Sequence, residues 1–283
     1  MEHNQLMKSL RIILLALSIV LFALNFVHYN INEDHKFIVI HEKFDPSLGR
    51  LNSLEKLVHY TDSSCGAKQI KQNTLEYAIE AKEIVSQRFY HKYATHNLNE
   101  NWIASLSQWV TGYYLSSKIT ADDILTRPYG YCGQQSAVLM ELLEKKGVDC
   151  RAVYFSHHFA MQAYINNSWC FFDPNQEPDI LPEQRSNKAW LYNDDSLAIA
   201  YRTDTNKINY SFGNPLMASI KYGEINEVQG PNAQIFQAIT QPLSRIAFIF
   251  PLLWFVYLSR KNKINCSPLL KVNSPTQEPP FLQ

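Results

Sequence analysis

The longest apolar stretches of the chain lie near its two ends. Sixteen uncharged residues run from Ile12 to Val27, and a second apolar run extends from Ile246 to Leu258. A membrane-spanning helix needs about 20 apolar residues, whereas the apolar core of a cleavable signal peptide has about 7–15. Because bulky residues follow the first run, we predict an uncleaved signal-anchor over residues 1–30. A cleaved signal peptide is the alternative.

The second run is shorter and is followed by basic residues. Its thirteen residues make about 20 Å of helix, against an apolar bilayer core of about 30 Å, so a span requires extension back to residue 238. The extension includes Pro242 and Arg245, and a long Arg side chain can snorkel to the interface. We predict a transmembrane helix over residues 238–260 and a cytoplasmic, disordered tail over residues 261–283. The alternative is a short helix that docks on the domain or lies in the interface.

Charge is distributed unevenly, although the formal net charge of the 283 residues is zero. Residues 30–240 carry 19 Lys and Arg against 24 Asp and Glu, whereas the two flanks carry 7 basic and 2 acidic residues. Basic residues in short flanks stay on the cytoplasmic side of a membrane. We therefore predict a protein of the cell membrane whose main domain, residues 31–237, is extracytoplasmic (periplasmic or cell-surface side). The lipid bilayer is a predicted partner, and the neutral overall charge indicates no nucleic acid partner.

Between the flanks, the spacing of apolar residues predicts two helices. The first runs from Thr74 to about Tyr90, with Thr74 as its N-cap. The second runs from Asn99 to about Ser117. Core packing is predicted for the apolar stripe of this second helix, which consists of Trp102, Ile103, Leu106, Trp109, Val110 and Tyr113. A β-rich piece at Phe37 to Ile40 precedes both helices.

A third helix and a set of short strands follow. The helix is predicted from Cys132 to Lys146, with Gly147 ending it. The strand-like pieces are Arg151 to Phe155, His158 to Ile165 and Trp169 to Asp173. Asn166-Asn167 is a turn signal between the last two pieces. A helix followed by an antiparallel meander indicates an α+β fold with its core at about residues 74–178.

Three side chains of this core have the types and placement of a cysteine nucleophile with its base. Cys132 begins a helix, and a helix N-terminus stabilises a thiolate. Side chains alternate along a strand, so His158 lies on the polar face and His157 on the core side. With a two-residue turn at Asn166-Asn167, Asp173 lies diagonal to His158, about 7–8 Å away at Cα. This arrangement predicts Cys132 as nucleophile, His158 as base and Asp173 as the group that orients His158.

These motifs, in this order, resemble the core of the transglutaminase-like superfamily, which has a papain-like cysteine fold. The matching residues are Gly130-Tyr131-Cys132, Gly147 to Arg151, His158, Trp169 and Asp173-Pro174. The resemblance covers about residues 125–175. It implies a Cys-His-Asp triad and a cysteine-bearing helix packed on an antiparallel sheet, here flanked by transmembrane helices.

The chain departs from the family pattern beside His158. Phe159-Ala160 and Gln162 replace the Ala-Trp and Glu that the family often has, and these positions shape the substrate cleft. The resemblance therefore implies no particular substrate. In the family, an upstream side chain donates a hydrogen bond to the oxyanion, and the pattern does not assign this residue here. The backbone N–H of Cys132 is the donor that we predict. The candidate side chains are Gln108, Trp109 and Tyr131.

The other cysteines have weaker indications of chemistry. Five cysteines are too few for a disulfide scaffold of this size, and a structural role is predicted for Cys65. Cys150 and Cys170 fall on the first and third predicted strands, too far apart for a disulfide. Without Cys-x-x-Cys spacing, no metal site or cofactor is predicted. Cys266 is expected in the cytoplasm, and Arg151 in a structural salt bridge.

The sequence thus predicts a membrane-anchored bacterial cysteine enzyme of transglutaminase-like type. It would act on amide or ester bonds of an envelope protein or peptide that the sequence does not identify. Resolution of the acyl-enzyme by water would make it a hydrolase, and resolution by an amine an acyl transferase. The alternative is a catalytically inactive transglutaminase-like module that serves as a binding or assembly scaffold in a membrane complex.

Overall fold

The computed structural model describes residues 2–31, 43–187, 189–213 and 220–265. The chain divides into two units, of which the smaller contains residues 1–26 and 242–283 and the larger residues 27–241. Some predictions fall outside the described residues. They concern the β-rich piece at Phe37 to Ile40, the cytoplasmic Cys266 and the disordered tail from residue 266 onward.

Most helices precede a small sheet along the chain. The helices are α1 (Glu2–Leu24), α2 (Leu54–Ala67), α3 (Leu75–Arg88), α4 (Leu98–Thr111), α5 (Tyr113–Ser116), α6 (Ala121–Leu125), α7 (Cys132–Glu144), α8 (Asp194–Ala200), α9 (Thr205–Phe212), α10 (Pro231–Ile246) and α11 (Ile249–Asn265). The strands are β1 (Tyr90–His91), β2 (Tyr129–Gly130), β3 (Cys150–Tyr154), β4 (Phe159–Ile165), β5 (Ser168–Phe172) and β6 (Lys221–Tyr222). Short 3-10 helices cover Pro46–Arg50, Pro182–Arg185 and Trp190–Tyr192. Helices and an antiparallel sheet that segregate in this way confirm the predicted α+β class.

The smaller unit is built around α1. Its stretch Gln5–Leu24 is long and apolar enough to span a membrane. Next to the start of α11, the Ser18 hydroxyl donates a hydrogen bond to the Phe248 carbonyl oxygen at 2.9 Å. The rings of Phe22 and Phe248 lie 5.1 Å apart, edge to face. These contacts join the two apolar ends of the chain within one unit.

The second apolar segment is a bent pair of helices. α10 and α11 meet at an angle of 41°, and together they are long and apolar enough for one broken span or a re-entrant loop. Pro251 explains the break, because it has no N–H for the carbonyl of residue 247 and its ring crowds that carbonyl. The segment predicted as a single helix over residues 238–260 therefore begins earlier, at Pro231. It also continues as α11 to Asn265, into the part predicted as a disordered tail.

Local signals explain two helix boundaries in the larger unit. The Thr74 hydroxyl accepts a hydrogen bond from the Tyr77 N–H at 3.3 Å, which confirms Thr74 as the N-cap of α3. The predicted helix over Asn99–Ser117 is interrupted at Gly112, whose φ of +62° is a left-handed conformation that favours glycine. Two helices, α4 and α5, therefore take the place of one.

The predicted core packing of the aromatic stripe is wrong at the end of α4. Trp109 is 74% exposed and Val110 is 89% exposed. The buried face of α4 is formed by small and polar residues instead, namely Asn101, Ala104 and Ser105. Helical spacing identifies residues that share a face, but it does not say whether another element covers that face.

α7 is the central helix of the larger unit, and its buried residues include Leu139, Leu142 and Leu143. The helix ends at Glu144, and the turn that follows it closes at Gly147, which has a φ of +75°. There the N–H of Gly147 donates to the Glu144 carbonyl at 2.9 Å and the N–H of Val148 to the Leu143 carbonyl at 3.1 Å. These two bonds form a Schellman motif and confirm the predicted role of Gly147.

The main sheet is antiparallel and has the strand order β5-β4-β3-β6. Asn166 and Asn167 connect β4 to β5 with φ values of 51° and 62°, as a type I′ turn requires. Ile165 pairs with Ser168 across this turn, which confirms the predicted register. The alternation of side chains along β4 and β5 is fixed by that pairing.

Both faces of the sheet are buried. Met161 and Ala163 belong to the apolar core that includes α7, whereas Ala160 and Phe171 pack in a second core with Phe212 of α9. The predicted polar face of β4 is therefore covered, and Gln162 is only 1% exposed. The covering helices α8 and α9 lie after Asp173-Pro174, the last of the motifs described above, in a part of the sequence for which no element was predicted.

Candidate active site

Cys132 is the first residue of α7 and directly follows the strand pair β1–β2. The Gln134 side chain fixes this turn, because its oxygen accepts from the N–H groups of Ala94 (2.8 Å) and Tyr131 (3.1 Å). Its amide nitrogen donates to the carbonyls of Ala94 (2.7 Å) and Lys118 (2.8 Å). The start of α7 is thus tied to two loops, and Cys132 itself is 3% exposed.

His158 and Asp173 form a buried pair at one end of the sheet. Nε2 of His158 lies 2.5 Å from Oδ2 of Asp173, and the Tyr201 hydroxyl donates to the same oxygen at 3.0 Å. The other carboxylate oxygen accepts from the N–H groups of Asn175 (3.1 Å) and Gln176 (3.0 Å). Burial alone would raise the pKa of Asp173, but the His158 charge and these hydrogen bonds lower it. Asp173 therefore remains a carboxylate at neutral pH.

The His158 ring connects this carboxylate to the Cys132 thiol. Burial disfavours the imidazolium, but the charge and hydrogen bond of Asp173, together with a hydrogen bond to Cys132, raise the pKa of His158. Because Nε2 of His158 contacts Asp173, Nδ1 is the ring nitrogen that can exchange a proton with the Cys132 sulfur. The structure therefore brings the three predicted residues together, in the order thiol, imidazole, carboxylate.

No match was found when the chain was compared with family models, curated proteins and solved structures. A thiol beside an imidazole that is paired with a buried carboxylate can generate a thiolate and shuttle one proton.

The predicted contact between Asp173 and His158 is confirmed, but the predicted position of His157 is wrong. β4 begins at Phe159, so the strand alternation does not extend back to His157. The His157 side chain is exposed and stacks on the Tyr210 ring at 4.5 Å. It therefore lies outside the core.

Several polar neighbours of the pair were not predicted. Besides Tyr201, the buried His91 lies nearby, and its Nδ1 accepts a hydrogen bond from the Asn175 amide at 2.7 Å. Burial lowers the pKa of His91 to about 4, so this ring is neutral at pH 7. Asn175 follows Asp173-Pro174 directly and could have been suspected from the sequence. Tyr201 and His91 are distant along the chain, and no local pattern marks them.

Of the three candidate oxyanion side chains, Tyr131 is the one for which the described residues show a contact with Cys132. Burial, followed by the electrostatic interaction with Cys132, raises the pKa of the Tyr131 hydroxyl. Gln108 accepts a hydrogen bond from the Ser116 hydroxyl at 3.4 Å, and Trp109 is largely exposed. Tyr131 therefore remains protonated and can donate a hydrogen bond at the site.

The other described cysteines are buried and free. Burial raises the pKa of the thiols of Cys65, Cys150 and Cys170, which disfavours their reactive thiolate forms. Cys150 and Cys170 pair with Ala163 from opposite sides, two strands apart, as predicted. Among the described residues, no group of three or more His, Cys, Asp or Glu side chains could hold a metal ion.

Arg151 differs from its predicted role in a salt bridge. Its guanidinium donates twice to the Gln162 side-chain oxygen, at 2.9 and 2.7 Å. It also lies between two rings, 4.1 Å from the Trp169 centroid and 4.3 Å from the Tyr222 centroid. Cation–π contacts and hydrogen bonds to an amide oxygen thus stabilise the Arg151 guanidinium on the sheet.

Proposed function

We propose that this protein is a membrane-anchored cysteine enzyme of transglutaminase-like type with a papain-like core. It acts on amide or ester bonds. The observation that carries the proposal is the 2.5 Å contact of His158 with the buried Asp173 carboxylate, together with the electrostatic interaction of the same ring with the Cys132 thiol. A further support is the order of elements in the core, in which a cysteine-bearing helix precedes and packs on an antiparallel sheet, with the base directly before strand β4.

In the first half-reaction, the Cys132 sulfur bonds to the substrate carbonyl carbon as a thiolate. His158 holds the thiol proton and then gives it to the leaving amine or alcohol as the carbon–nitrogen or carbon–oxygen bond breaks. Asp173 keeps its charge throughout and orients the imidazole. The product of this step is an acyl thioester on Cys132.

In the second half-reaction, water attacks the thioester carbon and transfers a proton to His158. The carbon–sulfur bond breaks, and an acid is released with the sulfur again paired with the imidazolium. An amine in place of water gives a new amide, so the same residues support hydrolysis and acyl transfer. The oxyanion of both tetrahedral intermediates would accept hydrogen bonds from the Cys132 N–H, which has no partner within the helix, and from the Tyr131 hydroxyl.

The membrane location is proposed from the apolar helices and the charges that flank them. α1 is long and apolar enough to span. On α10, Ile235 and Ile239 are each 61% exposed, whereas Gln237 points inward and donates to the carbonyls of Leu115 (2.9 Å) and Ser117 (2.7 Å). A helix with its apolar residues outward suits lipid better than water. With both termini cytoplasmic, the main domain would be extracytoplasmic and would meet a cell-envelope protein or peptide.

A topology experiment tests this location. We expect a reporter enzyme that is active only outside the cytoplasm to work when fused near residue 120, because this position follows α1. The same reporter fused after Lys263 should be silent, because α10 and α11 return the chain to the cytoplasm. Activity of the second fusion would make the bent pair a re-entrant loop, and silence of the first would contradict an extracytoplasmic domain.

The burial of the site favours a second candidate, a catalytically inactive scaffold. Cys132 is 3% exposed and His158 is 6% exposed, so a substrate carbonyl has little open surface on which to reach the sulfur. In this view the buried contacts among Cys132, His158 and Asp173 only stabilise the fold. The two candidates differ in whether an acyl group can be transferred to Cys132.

Trapping of the acyl-enzyme distinguishes the enzyme from the scaffold. We expect the full-length protein in detergent, mixed with an activated aryl ester and quenched in acid, to carry one acyl group on Cys132. Peptide mass spectrometry locates that group. The Cys132→Ala variant should carry none, and the Cys65→Ala variant should match the unaltered protein. A folded protein that is acylated at no cysteine, or equally at Cys65 and Cys132, would support the scaffold instead.

A further inference from the structure

A cavity of about 430 Å³ lies beside Cys132 within the larger unit. Both chain neighbours of the cysteine, Tyr131 and Gly133, line it. His158 is not one of its lining residues, although the adjacent Phe159 is. Cys132 itself is also not one of the lining residues, so the cavity lies next to the N-terminus of α7, between the two chain neighbours of the cysteine.

Stacked aromatic rings form one wall of this cavity. The rings of Tyr113 and Tyr93 stack at 3.9 Å with an angle of 6° between their planes. The rings of Tyr93 and Tyr131 stack at 4.1 Å with an angle of 13°. Tyr114, which is 53% exposed, and the ring of Phe159 also line the cavity. A guest would meet ring edges and faces at several points, and edge-to-face contacts favour another aromatic ring.

The charges around the cavity indicate a neutral guest. Lys118 is the cationic side chain in the lining, but it is buried and its ammonium lies 3.3 Å from the Glu100 carboxylate. The lining residues that the structure describes include no carboxylate. The cavity therefore presents aromatic and apolar surface with little free charge, which suits an uncharged apolar group.

The position of the cavity relative to His158 indicates which part of the substrate it would hold. His158 must give a proton to the leaving group, so the leaving group has to lie against His158. The cavity is lined by the neighbours of Cys132 and not by His158. It therefore suits the acyl side of the substrate, which stays on the sulfur after the leaving group departs. Its volume exceeds the roughly 150 Å³ of a cavity that accepts benzene.

We propose that this cavity is an acyl-group subsite for an aromatic side chain. The preferred substrate would then be an amide or ester whose carbonyl belongs to a residue of the phenylalanine or tyrosine type. This assignment rests on the proposed function, because it requires Cys132 to attack that carbonyl.

Cys132 alkylation by N-acetyl amino acid chloromethyl ketones tests the subsite in the full-length protein. The reagents carry the side chain of Phe, Leu, Ala or Asp next to the reactive ketone, and mass spectrometry gives the rate at Cys132. Each rate is divided by the rate with iodoacetamide, which carries no side chain. We expect the Phe reagent to react at least tenfold faster than the Ala reagent, severalfold faster than the Leu reagent, and the Asp reagent to react slowest.

Two variants connect this preference to the cavity. Tyr114→Ala should lower the Phe-to-Ala ratio at least threefold, because it removes an aromatic ring that lines the cavity. Trp109→Ala removes an aromatic residue that is 74% exposed and does not line the cavity, so it should leave the ratio unchanged. Equal rates with the Phe and Ala reagents, or a faster rate with the Leu reagent than with the Phe reagent, would overturn the subsite. The proposed function would still stand if iodoacetamide labelling of Cys132 depended on His158. Loss of that dependence would overturn both.

Discussion

Asp173→Asn is expected to lower turnover of an activated ester about 10³- to 10⁴-fold, while most of the protein stays folded at growth temperature. The asparagine oxygen can still accept from the N–H groups that now bond to Asp173. Its amide group, however, would face Nε2 of His158 and donate to it. The ring proton then moves to Nδ1, the nitrogen on the Cys132 side, where a base needs a free lone pair.

The free energy of unfolding of Asp173→Asn is expected to fall only moderately, in contrast to the large loss of turnover. Replacing one partner of a buried hydrogen bond costs about 1–3 kcal/mol. Thermal unfolding of the full-length protein and steady-state ester hydrolysis, measured on the same preparation, separate the two effects. Tyr201→Phe is the matched control, because it removes a second hydrogen bond to the same carboxylate oxygen without changing the tautomer of His158. We expect Tyr201→Phe to lower turnover tenfold or less.

An unfolded Asp173→Asn protein at growth temperature would mark Asp173 as a structural residue of the turn after β5. Full turnover by a folded variant would show that no orienting carboxylate is needed. Either result would remove Asp173 from the proposed triad, and the second would leave Cys132 and His158 in it.

The relation between His158 and Asp173 could be predicted because it is set by local structure. The two asparagines specify a two-residue turn, and the turn fixes the pairing of Ile165 with Ser168. This register then determines which residues of the two paired segments lie opposite each other. Gly147 is a similar case, since its positive φ allows its own N–H to bond to the carbonyl of Glu144 and the N–H of Val148 to bond to that of Leu143.

The failed predictions depend on neighbours that are distant in sequence. The stripe containing Trp109 has helical spacing, but none of the elements in the described residues buries this end of α4, and Trp109 is 74% exposed. The polar face predicted for β4 is covered at Ala160, which packs with residues of α8 and α9 that lie more than 30 positions later in the chain. Tyr201 reaches Asp173 from α8's end, 28 residues later in the chain, and no periodicity connects the two.

The second large effect is expected on the reactivity of Cys132 itself. Burial opposes the imidazolium of His158, but Asp173 and the thiol raise the pKa of His158, so the cation persists at neutral pH. A neighbouring cation stabilises the thiolate, which is the form that alkylates. Because protonated His158 favours the thiolate, its removal should shift the alkylation profile toward higher pH. We expect His158→Ala to slow alkylation of Cys132 at pH 6 at least tenfold.

The most direct test of the proposed triad is therefore the pH dependence of Cys132 alkylation by iodoacetamide, followed by peptide mass spectrometry. In the unaltered protein and in His157→Ala, which alters the exposed neighbour, we expect Cys132 to react at pH 6 at least tenfold faster than in His158→Ala. Cys65 and Cys150 should react slowly in the same samples, because burial disfavours their thiolates. His158→Ala should move the Cys132 profile to higher pH. A folded His158→Ala protein with an unchanged Cys132 profile would contradict the triad and leave the scaffold function in its place.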